Sequence, residues 1–220
     1  LGLVSDTALA RFIECGCLVM KTEANDQLAR HIRHSQALSI PIEHWDAAQI
    51  KNRLPLYDMA SYAPPKPLDD PDFGQPNGSQ VRGGVFWPNA GYVTDPALSA
   101  QNLAAAAAQF GSRFRMGVTV TEILQTGSRV KGVKLADGSV LHAPVVINIA
   151  GPGSAHINQL AGVTENMTIQ TRPLRQEVVH LPAPAGFDFD ANGLIVSDSD
   201  IALYCRPEHG NHILIGSEDP

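Results

Sequence analysis

Six residues constrain this chain more than any others. "VVINIA", Val145 to Ala150, is apolar at every position except Asn148. A strand with one wet face alternates apolar and polar side chains. A run that is apolar on both sides fits a strand of a parallel sheet, covered by a layer on each face. Parallel neighbours need long crossover connections, usually helices, so such a strand commits its surroundings to an α/β arrangement. The run ends in "GPGSA", and "SAHINQLAG" reads as a helix that starts there. In open α/β sheets ligands bind at the carboxyl ends of the strands. Gly151 has no Cβ to keep a phosphate or sugar from the main chain, and a helix N-terminus favours anions. The stretch is still not a dinucleotide fingerprint. Position 156 is His where G-x-G-x-x-G requires Gly, and no acidic residue at a strand end follows about 20 residues later. On local grounds a plain structural turn accounts for it equally well.

The flanking texture carries more. From Val118 onward "VTVTEI" and "RVKGVKL" alternate apolar and polar residues, and "LADGSVL" holds an Asp-Gly hairpin turn. Upstream, "GGVFWPNAGYVTDP" suggests a strand and a tight turn. Asp95 then caps a helix whose first residue is Pro96, where a missing N–H costs nothing, and Gly111 ends it. Its five consecutive alanines permit close packing, or simply favour helix. Nearer the start, "CLVMKT" has strand composition, and "EANDQLARHIRHSQAL" places Leu28 and Ile32 at helical spacing. "IPIEHWDAAQIKNRLP" reads as an extended piece and a short helix capped by Asp46 and stopped before Pro55. "YAPPKPLDDPDFGQPNGSQ" has no period and is a long surface loop, either functional or a crossing between domains. "TIQTRPLRQEVVHL", "LIVSDSDIALYCRP" and "NHILIG" read as strands of an antiparallel sheet.

Composition excludes several functions. With 220 residues the chain is one large domain or two small ones. A net charge of −6 speaks against nucleic acid as a partner. No apolar run reaches the length of a membrane span. The opening "LGLVSDTALARF" has neither a basic start nor a cleavage site, so no signal peptide is expected in it. Three cysteines, Cys15, Cys17 and Cys205, suggest a reducing, cytoplasmic setting. Cys15 and Cys17 lack partners at metal-finger spacing and read as small strand residues. "DFDANG" matches four positions of a calcium loop, but Ser199 stands where a bidentate Glu is required, so it is a turn. His31, His34, His209 and His212 read as surface residues, and no metal set is expected. Tyr204 lies in an alternating strand with ambiguous parity. Arg172, Arg175 and Arg206 are cations near strand ends, any of which could meet a carboxylate bidentately.

The order of these motifs is more specific than any one of them. "GYVTDP", an Ala-rich helix, "VTVTEI", "RVKGVKLADG", "VVINIAG", "TRPLRQE" and "YCRP…ILIGSEDP", in that succession, resemble the D-amino-acid-oxidase family of FAD-dependent oxidoreductases, which includes glycine and sarcosine oxidases and D-amino-acid dehydrogenase. The resemblance implies an α/β (α+β) fold of two interleaved parts: a Rossmann-like FAD domain, incomplete here, and a substrate domain with a mixed or antiparallel sheet. On that map 1–92 is a first substrate-domain segment with some FAD-domain edge, 93–163 belongs to the FAD domain, and 164–220 returns to the substrate domain. The resemblance places Val120 at the adenine through its main chain, and Ala150 and Gly151 beside the dinucleotide. Gly153 and Ser154 stand where the family often has Trp-Ser. Tyr204 falls at a position that faces the substrate carboxylate in glycine oxidase, and Arg175 at a recurrent P-x-R position. The implied reaction is hydride transfer from an amine or amino acid to flavin, with oxygen and a respiratory partner both open as electron acceptors. A 2-hydroxy acid or glycerol phosphate as substrate is the alternative, and a non-catalytic homologue a further one. The family's G-x-G-x-x-G and its C-terminal flavin-holding segment do not occur in these residues. Since Leu1 is not Met, an internal piece of a longer protein is expected, one that binds FAD poorly by itself.

Overall fold

The computed structural model describes residues 8–21, 27–198 and 201–217. Thr22, the Glu23–Asp26 start of the first expected helix, and Ser199 lie outside them. The chain divides into two compact units, Leu1–Ala106 with Gln176–Pro220, and Ala107–Arg175.

The first unit is built on a seven-stranded sheet. In chain order its strands are β2 (Cys17–Lys21), β3 (Glu43–Asp46), β4 (Gly83–Trp87), β9 (Val178–Pro182), β10 (Ile195–Asp198), β11 (Leu203–Glu208) and β12 (His212–Ser217). Their spatial order is β3-β4-β2-β10-β11-β12-β9. Every pair is antiparallel except β2 with β10, so the sheet is mixed. Register decides its two faces. Leu18, Val196, Cys205, Ile215 and Val179 lie opposite one another across five strands and share one face. That face is the core side: Leu18 is fully buried, and Met20, Ile50, Leu54, Val81, Leu194 and Val196 pack with it. Each such burial contributes about 1.5–3 kcal/mol. Cys17, Ser197, Tyr204 and Gly216 alternate onto the other face.

Local chemistry explains the elements that cover the core face. Helix α2 (Ala47–Arg53) begins at a capping box. The Gln49 N–H donates to Asp46 Oδ1 at 2.7 Å, and the Asp46 N–H to Gln49 Oε1 at 2.9 Å. It delivers Ile50 and ends before Pro55, as its sequence requires. The Pro-rich stretch that follows folds back on itself. Ala60 bridges Gln80, the Ser61 N–H donates to the Ser79 carbonyl, and the Asn77 amide donates to the Ala63 carbonyl at 2.7 Å. Helix α1 (Gln27–Ala37) presents the Ser35 hydroxyl to the Trp87 indole N–H at 2.9 Å. A two-stranded ribbon, β1 (Phe12–Glu14) with β5 (Gly91–Val93), precedes helix α3 (Pro96–Gln109). α3 is capped by Asp95, which accepts from the Leu98 N–H, and Asn102 is its one buried residue. Its alanine run thus follows helix propensity rather than close packing.

The second unit is a meander, β6 (Val120–Thr126), β7 (Arg129–Leu135) and β8 (Val140–His142), with the Asp-Gly turn where its sequence puts it. Ile123 and Leu135 are its buried pair. Helix α4 (Ser154–Leu160) follows a single 3-10 turn, Gly151–Gly153. One expectation fails here. Val145–Ala150 is extended chain, not a strand, and Val145, Ile147 and Ile149 are 69, 75 and 86% exposed. A strand exists only by pairing, and among the described residues no strand runs beside this one. Likewise Thr168–Glu177 forms no strand, and pairing starts at Val178.

Candidate functional site

Tyr204 occupies the middle of the sheet, with β10 on one side and β12 on the other. The pleat resolves its parity. Cys205 and Val196 belong to the core face, so Tyr204 belongs to the opposite one, directly across from Gly216. Its ring lies on that glycine. A Cβ at Gly216 would sit 2.4–2.5 Å from the ring and hydroxyl atoms, which is too close for any side chain. The absence of a side chain on β12 therefore makes the seat for the ring.

Arg206 follows two residues on, on the same face. Its guanidinium stands 4.4 Å from the centre of the Tyr92 ring. Nη1 donates to the Pro207 carbonyl at 2.9 Å, and Nη2 pairs with Glu208 Oε2 at 2.8 Å. Burial works against ionisation of Glu208. The His209 N–H and the Arg206 cation outweigh it and hold the carboxyl below its ordinary range. Arg206 is thus a structural cation that ties β11 to Tyr92. His180 and His212 stack beside this group with ring centres 4.7 Å apart. His212 is half-buried, whereas His31, His34 and His209 are exposed.

The other face of β11 carries Cys205, whose sulfur lies 2.6 Å from the Tyr57 hydroxyl. Burial pushes both groups up, Tyr57 well above the phenolic range. Cys17 is raised to about 11 by burial and by the two neighbouring sulfurs, and Cys15 is also raised by burial. Both cysteines of the C-x-C pair are half-buried, and among the described residues no group of His, Cys, Asp and Glu is placed to hold a metal ion. Asp188 and Asp190, the calcium-loop look-alikes, are also consumed locally. Asp188 caps the one-turn helix α5 (Phe189–Asn192), and Asp190 accepts from the Asn211 N–H at 2.9 Å.

In the second unit Val120 opens β6 opposite Leu135 and is half-buried. Ala150, Gly151 and Gly153 form an exposed turn. Asn148 holds it: its amide donates to the Ser154 carbonyl at 2.9 Å and to Asn158 Oδ1 at 2.8 Å, and its oxygen accepts from the Ala150 N–H. The one polar residue in the apolar run is therefore the brace of the glycine turn, a role that composition does not reveal. Gly151 has φ +53°, and a Cβ there would meet nothing within 4 Å. Gly153 would meet only the Ala150 methyl, at 3.8 Å. Main chain this bare is what a dinucleotide needs for close approach, so the residues present fit FAD. Arg175 is exposed at the end of the same unit, and Arg172 is exposed three residues before it. Tyr204 belongs to the first unit, and Val120, Ala150, Gly151, Gly153 and Arg175 to the second. Among the described residues no helix is long and apolar enough to cross a membrane.

Comparison with known proteins identifies the architecture. Residues 2–220 match the FAD dependent oxidoreductase family. Hydrogen cyanide synthase subunit HcnC of Pseudomonas aeruginosa is 32% identical over 112 residues, which is 51% of this chain and 25% of that protein. Among solved structures, L-proline dehydrogenase from P. horikoshii superposes with a TM-score of 0.70 at 19% identity, over 94% of this chain and 50% of that one. Glycine oxidase from Geobacillus kaustophilus gives 0.63 at 22% identity, over 93% and 47%. Iminodiacetate oxidase from Chelativorans sp. BNC1 gives 0.64 at 17%, over 97% and 51%. The chain spans about half the length of these solved structures and a quarter of the curated relative. The mixed α/β fold is that of these enzymes, and the chain belongs to the family of FAD-dependent oxidoreductases.

Proposed function

We propose that this chain is part of an enzyme that oxidises an amine or amino acid with FAD. Family membership supplies the cofactor. The observation that carries the reading is Tyr204, seated on Gly216 in the middle of the sheet, on the face away from the core. A phenol held rigidly by a glycine seat is a preorganised donor to a substrate carboxylate, because little side-chain freedom remains to be lost on binding. Arg175, in the second unit, is assigned to substrate binding on its P-x-R position. The main chain of Val120 and the bare turn Ala150, Gly151 and Gly153 are assigned to the dinucleotide.

The chemistry that bound FAD would supply is acceptance of a hydride from the substrate carbon next to nitrogen. The nitrogen gives up a proton to solvent, and the resulting imine takes up water to release a carbonyl compound and ammonia or a smaller amine. No acid–base side chain of this chain is required, only orientation and exclusion of water. Residues 93–163 are assigned to the FAD domain, and 1–92 and 164–220 to the substrate domain. The three thiols suit a cytoplasmic enzyme.

The test is anaerobic reduction of the flavin in the full-length protein. Glycine, sarcosine, proline and D-alanine are compared with lactate and glycerol 3-phosphate. Bleaching by an amine, with Tyr204→Phe raising KM for carboxylate substrates about tenfold at little change in kcat, supports the reading. Bleaching by lactate or glycerol 3-phosphate alone replaces the substrate class, and a protein that never carries flavin overturns it.

A further inference from the structure

The core side of the sheet borders a cavity of about 210 Å³. Its floor is the row Met20, Val196, Leu203, Cys205 and Ile215, and Tyr204 lines it too, although its ring turns to the other face. Its roof is the stem of the Pro-rich loop, with Tyr57, Asp58, Tyr62 and Val81. The long aperiodic stretch of sequence is therefore a folded strap that encloses space.

Size and charge define an occupant. An apolar cavity of about 150 Å³ takes up benzene, so this one accommodates a single ring with a short substituent. Among the described residues, no Lys, Arg or His lines it, whereas Asp198 and the exposed Asp58 do. Asp58 accepts hydrogen bonds from the Tyr62 hydroxyl at 2.5 Å and the Ala60 N–H at 2.9 Å. These two donors hold it below its ordinary range and thus ionised. A carboxylate has about four acceptor positions, and two remain. Lys51, the nearest cation to act on it, is committed to the Tyr57 carbonyl at 2.9 Å. The rings of Tyr57 and Tyr62 add π-faces that attract a cation. The Tyr57 hydroxyl and the Cys205 thiol satisfy one another and leave the floor apolar.

We propose that this cavity binds a small organic cation with an aromatic or branched apolar body, its charged head on Asp58 and its body against Val81, Val196 and Ile215. Tyr204 borders the cavity as well, but its ring lies over Gly216 on the other face of β11.

Benzamidine is the probe. It has the right size, a planar cationic head that pairs with a carboxylate, and no C–H next to nitrogen that could be oxidised. Its binding to the full-length protein is measured by calorimetry beside benzamide, a neutral molecule of the same shape. The expected result is binding at least tenfold tighter for benzamidine, and loss of that preference in Asp58→Asn. Ile201→Trp, which fills the cavity, is expected to block both probes. Equal affinity for the two probes overturns the proposal, as does an affinity unchanged in both Asp58→Asn and Ile201→Trp. So does no heat of binding up to millimolar benzamidine.

Discussion

At Gly216 the structure uses the smallest residue to position one of the largest. The Tyr204 ring fills the space above β12 that any side chain would claim. Gly216→Ala adds one methyl group against a ring with covalently fixed neighbours on both sides. Overpacking of this kind costs about 1–3 kcal/mol. The expected outcome is a urea midpoint lowered accordingly with an unchanged slope, and Tyr204 fluorescence altered in the native state. If the variant unfolds at the wild-type midpoint, the ring is not seated on this glycine. The Tyr57–Cys205 contact shows what a sequence conceals at this scale. Its partners lie 148 positions apart, and neither residue type announces the other. Tyr204 itself was legible through its place in a family pattern, but its face was not. An alternating strand shows which residues share a side, and only pairing with Val196 and Gly216 shows which side is covered.

Elements formed where their instructions are local. The Asp46–Gln49 capping box, the Asp95-Pro96 start of α3 and the Asp-Gly hairpin each sit within a few residues, and all three occur where the sequence puts them. The capping box lends itself to measurement because both of its side chains are exposed. Asp46→Ala removes the acceptor for the Gln49 N–H and should lower stability by about 1 kcal/mol. Asp46→Asn keeps an acceptor oxygen and should restore most of the loss, as read by thermal melting. Equal losses in the two variants would place the cause in charge rather than in capping. Val145–Ala150 went the other way, because its instruction is not local. Five apolar residues around one Asn encode a strand only in the presence of neighbours to pair with, and hydrophobicity cannot say where those neighbours come from. The parallel pairing of β2 with β10, which joins residues from near the two ends of the chain, was illegible for the same reason.

At the scale of the molecule, the two units differ in how fully they bury their apolar residues. The first holds a continuous core from Leu18 to Leu194. The second leaves Val145, Ile147 and Ile149 open, next to a glycine turn with free space at the Cβ position of Gly151. A row of large aliphatic side chains in water is costly, and such patches mark surfaces built to be covered. The FAD contacts assigned to this unit are few: one valine main chain and a four-residue turn. Tight retention of a dinucleotide needs burial of most of its surface in a largely preformed cleft, and these residues offer only one open edge of it. The 220-residue chain produced by itself is therefore expected to fold cooperatively, judged by far-ultraviolet circular dichroism. Its exposed aliphatic row should bind anilinonaphthalenesulfonate, and it should emerge from gel filtration without absorbance at the flavin wavelengths even after incubation with excess FAD. Val145→Lys and Ile149→Lys on this isolated chain should reduce the dye signal without lowering the melting temperature, since both positions are already in water. Stoichiometric flavin carried through the column would show that the cleft is complete within these residues, and the assignment of Ala150, Gly151 and Gly153 to one edge of it would have to be abandoned.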